Sequence, residues 1–189
     1  MPDASILVIS GTNRPGSNAL KIANILLGHY QTASAKAELL SLTELPKEVF
    51  DGSAYATKPA GMVAIQQRVL SAMGLHIVTP EYNGSVPGVL KYFIDMLKFP
   101  ESFERRPVCF TGLSAGIWGA LRPVEQLQAI FGYRNAYIYP ERVFMPQIYN
   151  LLDDNGRLKD AELLKRLKSQ VEGFVAFVER LQGVKLRGN

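Results

Sequence analysis

Three polar segments of this 189-residue chain carry the residue types that could bind a ligand. Their sequences are GTNRPGSN at residues 11–18, TPEYNGSVPG at residues 79–88 and GLSAGIWG at residues 112–119. Backbone amides, hydroxyls, carboxamides and an arginine form hydrogen bonds with anions and with flat heterocycles. The segments contain no histidine and no cysteine. Their chemistry therefore suits binding better than acid–base or nucleophilic catalysis, and we expect no catalytic side chain.

The first segment has the composition of a phosphate-binding loop between a strand and a helix. Free N–H groups and the positive end of the helix dipole meet at a helix start, and the Arg14 guanidinium adds a fork that binds phosphate. A nucleotide triphosphatase needs lysine where Ser17 stands, and a dinucleotide fingerprint needs a third glycine beside Gly11 and Gly16. Two interpretations remain: a site for a terminal monophosphate, and an ordinary helix cap, which Ser17 and Asn18 also favour.

The second segment combines stiff and flexible backbone with an aromatic side chain. Pro80 and Pro87 restrict the chain, whereas Gly84 and Gly88 let it approach a flat ligand closely. Tyr82 offers aromatic surface, and the loop amides can bond to ring heteroatoms. A plain surface turn would explain the glycines and prolines but not so many polar groups at the end of a core strand.

The third segment matches the G-x-S-x-G pattern of a hydrolase nucleophile elbow, with Ser114 as the nucleophile. In such hydrolases the histidine follows the serine in the chain. Both histidines, His29 and His76, precede Ser114, so the hydrolase interpretation fails. The same residues form a glycine-rich loop that could flank a ring system, with Trp118 beside it.

The remaining reactive residues are better explained by structure than by catalysis. Cys109 lies in the apolar run VCF, which is typical of a buried thiol, and a single cysteine excludes an internal disulfide. Two histidines leave little material for a metal site, and we expect both to be structural. A response-regulator domain would need acidic residues after the first strand, where Ser10 and Gly11 stand. A site without reactive groups of its own indicates that a cofactor carries the chemistry.

Short apolar runs alternate with helical patterns, and these elements must position the three segments. The predicted strands are residues 6–9, 37–42, 75–79, 108–111 and 136–139. The predicted helices are residues 17–30, 62–73, 89–97, 124–131 and 160–181, and residues 43–59 are predicted to form a long surface loop. The alternation predicts an α/β fold, a doubly wound five-stranded parallel sheet with helices on both faces. Its ligands bind beyond the carboxyl ends of the strands, where the strand order reverses.

Composition and charge narrow the class of protein further. With 47% hydrophobic and 20% charged residues the chain is globular, and we expect one domain over residues 1–189 because no linker or repeat divides it. The net charge of +4 comes from scattered residues, which argues against nucleic-acid binding. No apolar run reaches 18 residues and no basic leader precedes the first strand. We therefore expect a cytoplasmic protein without a membrane partner.

The three segments together resemble those of the NADPH-dependent FMN reductase family, which has a flavodoxin-like fold and includes chromate, quinone and azo-dye reductases. Residues 80–91, PEYNGSVPGVLK, are similar to its signature P-E-Y-N-x-x-x-P-x-x-L-K. Residues 11–19 resemble its phosphate motif G-S-x-R-x-x-S-x-N, with Thr12 in place of the serine and Asn18 one position early. Ser114, Gly116 and Gly119 resemble its S-x-G-x-x-G motif.

The resemblance implies which residues would bind FMN. The phosphate would be held by residues of the first segment, namely Gly11, Thr12, Arg14, Ser17, Asn18 and Ala19. The isoalloxazine ring would be lined by Pro80, Glu81, Tyr82, Asn83, Gly84 and Ser85, and bordered by Ser114, Ala115, Gly116 and Gly119. Trp118 would narrow the substrate side of the flavin. Tyr92 stands where the family often has asparagine, on a helix usually placed at the subunit interface, and a homodimer or homotetramer is implied.

The resemblance also implies a ping-pong reaction. NADPH or NADH would pass a hydride to the flavin and leave, and a small acceptor (a quinone, an azo compound, chromate or free flavin) would then take the electrons. Two alternatives stay open: a flavodoxin-type electron carrier, and an interaction module that keeps the fold without turnover. The sequence does not separate NADPH from NADH, although Arg105, Arg106 and Arg122 are candidate partners for the 2′-phosphate.

Overall fold

The computed structural model describes residues 5–184, and the ends of the predicted domain, residues 1–4 and 185–189, lie outside them. Its strands are β1 (Ser5–Ser10), β2 (Lys36–Ser41), β3 (Gly74–Pro80), β4 (Pro107–Leu113) and β5 (Tyr137–Met145). All pairings are parallel, and the order β2-β1-β3-β4-β5 is that of the flavodoxin-like doubly wound fold. The predicted fold class is confirmed.

Helices cover both faces of the sheet because each strand alternates its apolar side chains between two core layers. The helices are α1 (Asn18–Thr32), α2 (Ala60–Ser71), α3 (Gly88–Met96), α4 (Leu121–Tyr133), the single turn α5 (Ile148–Leu151) and α6 (Ala161–Val184). Ile6 and Val8 face the layer formed with α1 and α6. Leu7 and Ile9 face the layer formed with α2, α3 and α4. The carboxyl edge of the sheet is left for the loops.

The segment predicted as a surface loop is largely wound into three 3-10 turns, Leu42–Glu44, Lys47–Phe50 and Gly52–Tyr55. Val49 and Ala54 are buried in the core layer of α2 to α4, so the prediction of a surface loop was wrong for these positions. Single apolar residues between turn formers have no helix or strand period, which is why the sequence pattern missed them. The Tyr92 hydroxyl donates to the Val49 carbonyl at 2.7 Å, and this bond ties α3 to the turns.

Strand β5 continues to Met145, well beyond the predicted end at Tyr139. Pro140 has no N–H to donate and interrupts the strand pattern. The structure accommodates it by a register shift: Val108 pairs with Ile138, but Phe110 pairs with Arg142. The bulge lies on an edge strand, where it disturbs no second neighbour. The longer strand delivers residues 146–149 to the carboxyl edge of the sheet.

A chain of buried polar side chains runs beneath α1 and α6. The Tyr30 hydroxyl bonds to His76 Nδ1 at 2.8 Å, and His76 Nε2 bonds to Thr111 Oγ1 at 2.8 Å. Thr111 donates to Gln170 Oε1 at 2.8 Å, and Gln170 Nε2 donates to the Phe110 carbonyl at 2.9 Å. Each group has a partner, so the chain can be buried without the penalty of an unsatisfied polar atom. His76 is thus a core residue, as the sequence predicts.

Candidate cofactor site

The strand order reverses between β1 and β3, and an open cleft of about 430 Å³ lies at the carboxyl edge there. Cofactor and ligand sites typically have volumes of roughly 300–1,000 Å³. The predicted cofactor residues that line the cleft are Arg14, Ser17, Asn18, Ala19, Pro80, Glu81, Tyr82, Ser114 and Ala115. The structure therefore brings together residues from all three segments.

The cleft also has walls that the sequence analysis did not single out. Pro15, Gly16 and Leu113 belong to the predicted loops, but Lys21, Ile148 and Tyr149 do not. Ile148 and Tyr149 were missed because β5 was expected to end before Pro140. Lys21 lies one helical turn after Ser17, on the same face of α1, and this i, i+4 spacing was the available signal.

One end of the cleft is suited to an anion. Ser17 caps α1, and its hydroxyl accepts the Leu20 N–H at 3.2 Å. The first turn of α1 contains no acidic residue that would offset the positive end of its dipole. Arg14 and Lys21, both exposed, add two cationic side chains to the lining. A helix start beside a guanidinium is a suitable site for a phosphate group.

Gly11 and Thr12 support the cleft from behind rather than lining it. A Cβ on Gly11 would lie 2.9 Å from the Val78 carbonyl oxygen, so glycine is needed where the loop crosses β3. Thr12 is fully buried, and its hydroxyl bonds to the Tyr82 hydroxyl at 2.9 Å and accepts the Arg14 N–H at 3.3 Å. This contact joins the first loop to the second and fixes the position of Tyr82.

The second loop is a tight hairpin. Tyr82 and Ser85 exchange backbone hydrogen bonds of 3.1 Å, and Asn83 and Gly84 between them have φ angles of 52° and 73°. Positive φ at both central residues defines a type I′ turn, for which Asn-Gly is the preferred sequence. Asn83, Gly84 and Ser85 thus form the tip of the hairpin, outside the cleft lining. The Ser85 hydroxyl donates to Gln126 Oε1 on α4 at 2.9 Å.

The third loop is fixed by its own backbone and by the end of β5. The Ser114 hydroxyl donates to the Gly116 carbonyl at 2.9 Å, and the Ile148 N–H donates to the Ser114 carbonyl at the same distance. Gly119, at φ 59°, turns the chain back so that its carbonyl oxygen lies over Gly112. Gly116 and Gly119 shape the loop without lining the cleft, whereas Ser114 and Ala115 form part of its wall.

The second loop carries a buried hydrogen-bond acceptor, the Glu81 carboxylate. Glu81 Oε1 accepts from Arg122 Nη1 at 3.1 Å, and its carboxylate is only 11% exposed. The second oxygen, Oε2, is buried and has no hydrogen-bond partner within residues 5–184. A buried acceptor without a partner costs free energy unless a bound donor satisfies it. The ribityl hydroxyls and the ring N–H of a flavin are such donors, so the residues present fit FMN.

Cys109 and His76 are buried in the core and lie away from the cleft. Burial raises the pKa of the Cys109 thiol well above its ordinary value, and burial lowers the pKa of His76 to about 3. In the part of the chain that the structure describes, no three or more histidine, cysteine or carboxylate side chains are grouped to hold a metal ion. No helix within that part has both the length and the apolar character needed to cross a membrane.

The strand order and the cleft at the carboxyl edge of the sheet define the flavodoxin-like class of fold. A solved flavoenzyme NAD(P)H:(acceptor) oxidoreductase from Paracoccus denitrificans superposes with a TM-score of 0.79 at 23% identity, over 94% of this chain and 98% of that one. This likeness supports the fold.

Sequence comparisons assign the chain to a family. The sequence model of the family described as NADPH-dependent FMN reductase matches residues 4–150. An NAD(P)H-dependent FMN reductase of Pseudomonas aeruginosa is 28% identical over 96% of this chain and 98% of its own length. A quinone reductase of Escherichia coli is 30% identical over 94% of this chain and 96% of its own length. The chain belongs to the NADPH-dependent FMN reductase family, an assignment that the resemblance of its three loops predicts.

Proposed function

We propose that the cleft binds FMN, and that the protein passes electrons from NAD(P)H to a small acceptor such as a quinone, an azo compound, chromate or free flavin. The observation that carries the proposal is the arrangement of charged and polar groups from one end of the cleft to the other. Cationic side chains and the start of α1 form one end, and two rigid loops with the buried Glu81 acceptor form the other. FMN has the matching arrangement, with a phosphate at one end and a flat polar ring at the other.

The phosphate of FMN is assigned to the start of α1. Arg14 and Lys21 provide charge. The Leu20 and Lys21 N–H groups donate to Ser17, which leaves the N–H groups of Asn18 and Ala19 as the donors at the start of α1. Ser17 and Asn18 add side-chain donors at the same place. A charge-assisted hydrogen bond contributes about 1.5–3 kcal/mol net, so two or three of them would anchor the cofactor.

The ring is assigned to the space between residues 80–82 and residues 114–115. Bound FMN would supply the electron-transfer chemistry that the side chains lack. The chain's own part is to hold the ring: Thr12 fixes Tyr82, and the end of β5 fixes the third loop. Neither His76 nor Cys109 reaches the cleft. We therefore assign no side chain as acid or base.

The acceptor is assigned to the open side of the cleft. Ile117, Trp118 and Tyr149 are large apolar side chains that remain exposed on or beside its loops. An open cleft with exposed aromatic surface favours planar molecules of varied shape over one closely fitted substrate. Reduction of several quinones or azo compounds by one enzyme is the behaviour that this arrangement supports.

The proposal includes a homodimer or homotetramer in the cytoplasm. A groove of about 470 Å³ between α3 and α4 is bordered by Phe99 and Tyr133, both exposed, and a second copy of the chain would cover it. Tyr92 itself is engaged within the chain, since its ring lies 5.1 Å from that of Phe50, between centroids. The buried free thiol of Cys109 is compatible with the reducing cytoplasm.

A spectrum of the purified protein tests the proposed function directly. After incubation with FMN and desalting, the protein is expected to keep a flavin absorption spectrum, which anaerobic NADPH or NADH should bleach within seconds. Retained flavin that stays oxidised with both dinucleotides would contradict the reductase and favour an electron carrier. Absence of flavin binding, confirmed by titration, would favour an interaction module instead.

Replacing Arg14 by alanine is expected to weaken FMN binding by about 2 kcal/mol, which is roughly 30-fold in Kd. Arg14 is exposed and makes no side-chain contact within the described residues that the fold requires, so the variant should keep the wild-type melting temperature. The effect is measured by titrating the FMN-free protein with FMN and recording the quenching of flavin fluorescence. Arg180→Ala, an exposed position on α6, removes the same charge and serves as the control. Equal FMN affinity in the Arg14 and Arg180 variants would rule out the phosphate assignment.

A further inference from the structure

The three arginines that the sequence offers as partners of a dinucleotide phosphate occupy different places in the fold. Arg106 donates to the Ala72 carbonyl and, at 3.0 Å, to the Glu101 carbonyl, and burial lowers the pKa of its guanidinium. Arg105 and Arg106 both precede β4, so they lie at the amino edge of the sheet, opposite the cleft. Neither can reach a ligand at the flavin site.

Arg122 alone of the three lies at the carboxyl edge, in the first turn of α4. One N–H bonds to Glu81 Oε1 at 3.1 Å, and the guanidinium carbon lies 5.5 Å from the centre of the Trp118 ring. Within residues 5–184 the side chain makes no other hydrogen bond, and it is half exposed. Glu81 and Trp118 therefore restrict the guanidinium from two sides and leave its other N–H groups for a ligand.

We infer that Arg122 binds a phosphate group of the reduced dinucleotide; this rests on the proposed function of the cleft. The phosphate of FMN is assigned to the start of α1. Arg122 lies beside the second and third loops, which are assigned to the ring, and the dinucleotide must approach the ring there. A half-exposed guanidinium held by a carboxylate and an aromatic face is pre-organised for phosphate. The dinucleotide offers this chemistry twice: in the 2′-phosphate, which only NADPH has, and in the pyrophosphate, which NADPH and NADH share.

The single tryptophan of the chain gives a readout that needs no redox turnover. Because Trp118 lies beside Arg122, its fluorescence should change when a phosphate binds there. The FMN-loaded protein is titrated with adenosine 2′,5′-bisphosphate, which carries the 2′-phosphate, and with ADP-ribose, which carries the pyrophosphate. The wild type is expected to give a saturable change with at least one of the two.

Arg122→Gln is expected to weaken that binding about 10-fold or more, because a charge-assisted pair is lost. Arg122→Lys keeps a cation beside Glu81 but loses the planar fork, so a loss of several-fold is expected. Arg180→Gln is the matched control. It lies on α6, two residues after Val178, which packs against Gly74 at the start of β3 and hence at the far edge of the sheet. This variant is expected to bind as the wild type does.

A loss confined to adenosine 2′,5′-bisphosphate supports the inference and assigns Arg122 to the 2′-phosphate, with a raised KM for NADPH but not for NADH. A loss confined to ADP-ribose, or shared by both ligands, supports it and assigns Arg122 to the pyrophosphate. Wild-type affinity in both Arg122 variants overturns the inference, as does a wild type that binds neither ligand. Intact phosphate binding at Arg122 with no flavin reduction would count against the proposed function alone.

Discussion

Acidification from pH 6.5 to about pH 3 is expected to destabilise the folded protein through His76, by about 1.4 kcal/mol for each pH unit. The imidazole has a pKa of 6.5 in the unfolded chain, and burial lowers it to about 3 in the folded state. Between these values only the unfolded state binds the proton. The stabilisation is therefore complete above pH 6.5 and is lost progressively as the pH falls towards 3.

The buried hydrogen bonds explain why His76 must stay neutral. Gln170 Nε2 donates to backbone carbonyls, so Gln170 Oε1 accepts the hydroxyl proton of Thr111. Thr111 has no second proton, so His76 Nε2 must donate to it, and His76 Nδ1 must accept from Tyr30. A proton added at Nδ1 would oppose the Tyr30 proton and leave a buried charge without an anion.

Denaturant unfolding at pH 7, 6, 5 and 4 measures this effect. The wild-type free energy of unfolding should fall with pH, and His76→Gln should remove most of that slope whatever its stability at pH 7. His29→Gln is the control: burial also lowers the pKa of His29, but that residue is only partly buried. It should leave the larger share of the slope in place. An identical slope in wild type and His76→Gln would contradict the prediction.

Replacing Gly112 by alanine is expected to cost about 1–3 kcal/mol of stability and to release bound flavin. The new Cβ would lie 2.8 Å from the Gly119 carbonyl oxygen, 3.0 Å from Ala120 Cβ and 3.1 Å from Val124 Cγ2. A backbone oxygen cannot rotate away as a side chain can. The loop that carries Ser114 and Ala115 would therefore have to move, and the wall of the cleft would move with it.

Thermal unfolding and retention of FMN after desalting measure the two consequences. Gly116→Ala provides a control within the same loop, because a Cβ there would meet nothing within 4 Å and the residue has no positive φ. It should melt as the wild type does and keep its flavin. If Gly112→Ala also retained wild-type stability and flavin, the close approach to Gly119 would not be a constraint on the loop.

The sequence predicted those parts of the fold in which each residue's own type decides its structure. The order of strands and helices followed from apolar periodicity, and Ser17 marked the start of α1 by its capping chemistry. Pro140 misled the pattern, because only the pairing of β4 with β5 shows that a bulge can absorb it. Val49 and Ala54 were missed because their burial depends on helices distant in the chain.

The lining of the candidate cleft was predictable to a similar degree, while its role in binding FMN stays a prediction. Composition pointed to the loops after β1, β3 and β4, whereas Ile148 and Tyr149 were missed because the end of β5 was misjudged. The resemblance implies that Asn83 and Gly84 line the ring; the structure places them at the tip of a hairpin, and their contact with a flavin stays a prediction. The bond between Thr12 and Tyr82 joins residues far apart in sequence, so no local pattern could reveal it.

The attachment of the second loop to α4 has a consequence for the rate at which a cofactor exchanges. Gln126 Oε1 accepts from the Ser85 hydroxyl and from the Val86 N–H at 3.1 Å, and Arg122 holds Glu81, so contacts within the chain itself order the hairpin. Little conformational entropy then remains to be lost on association. We therefore expect changes in cofactor affinity to appear mainly in the dissociation rate, which the contacts at the phosphate end would set.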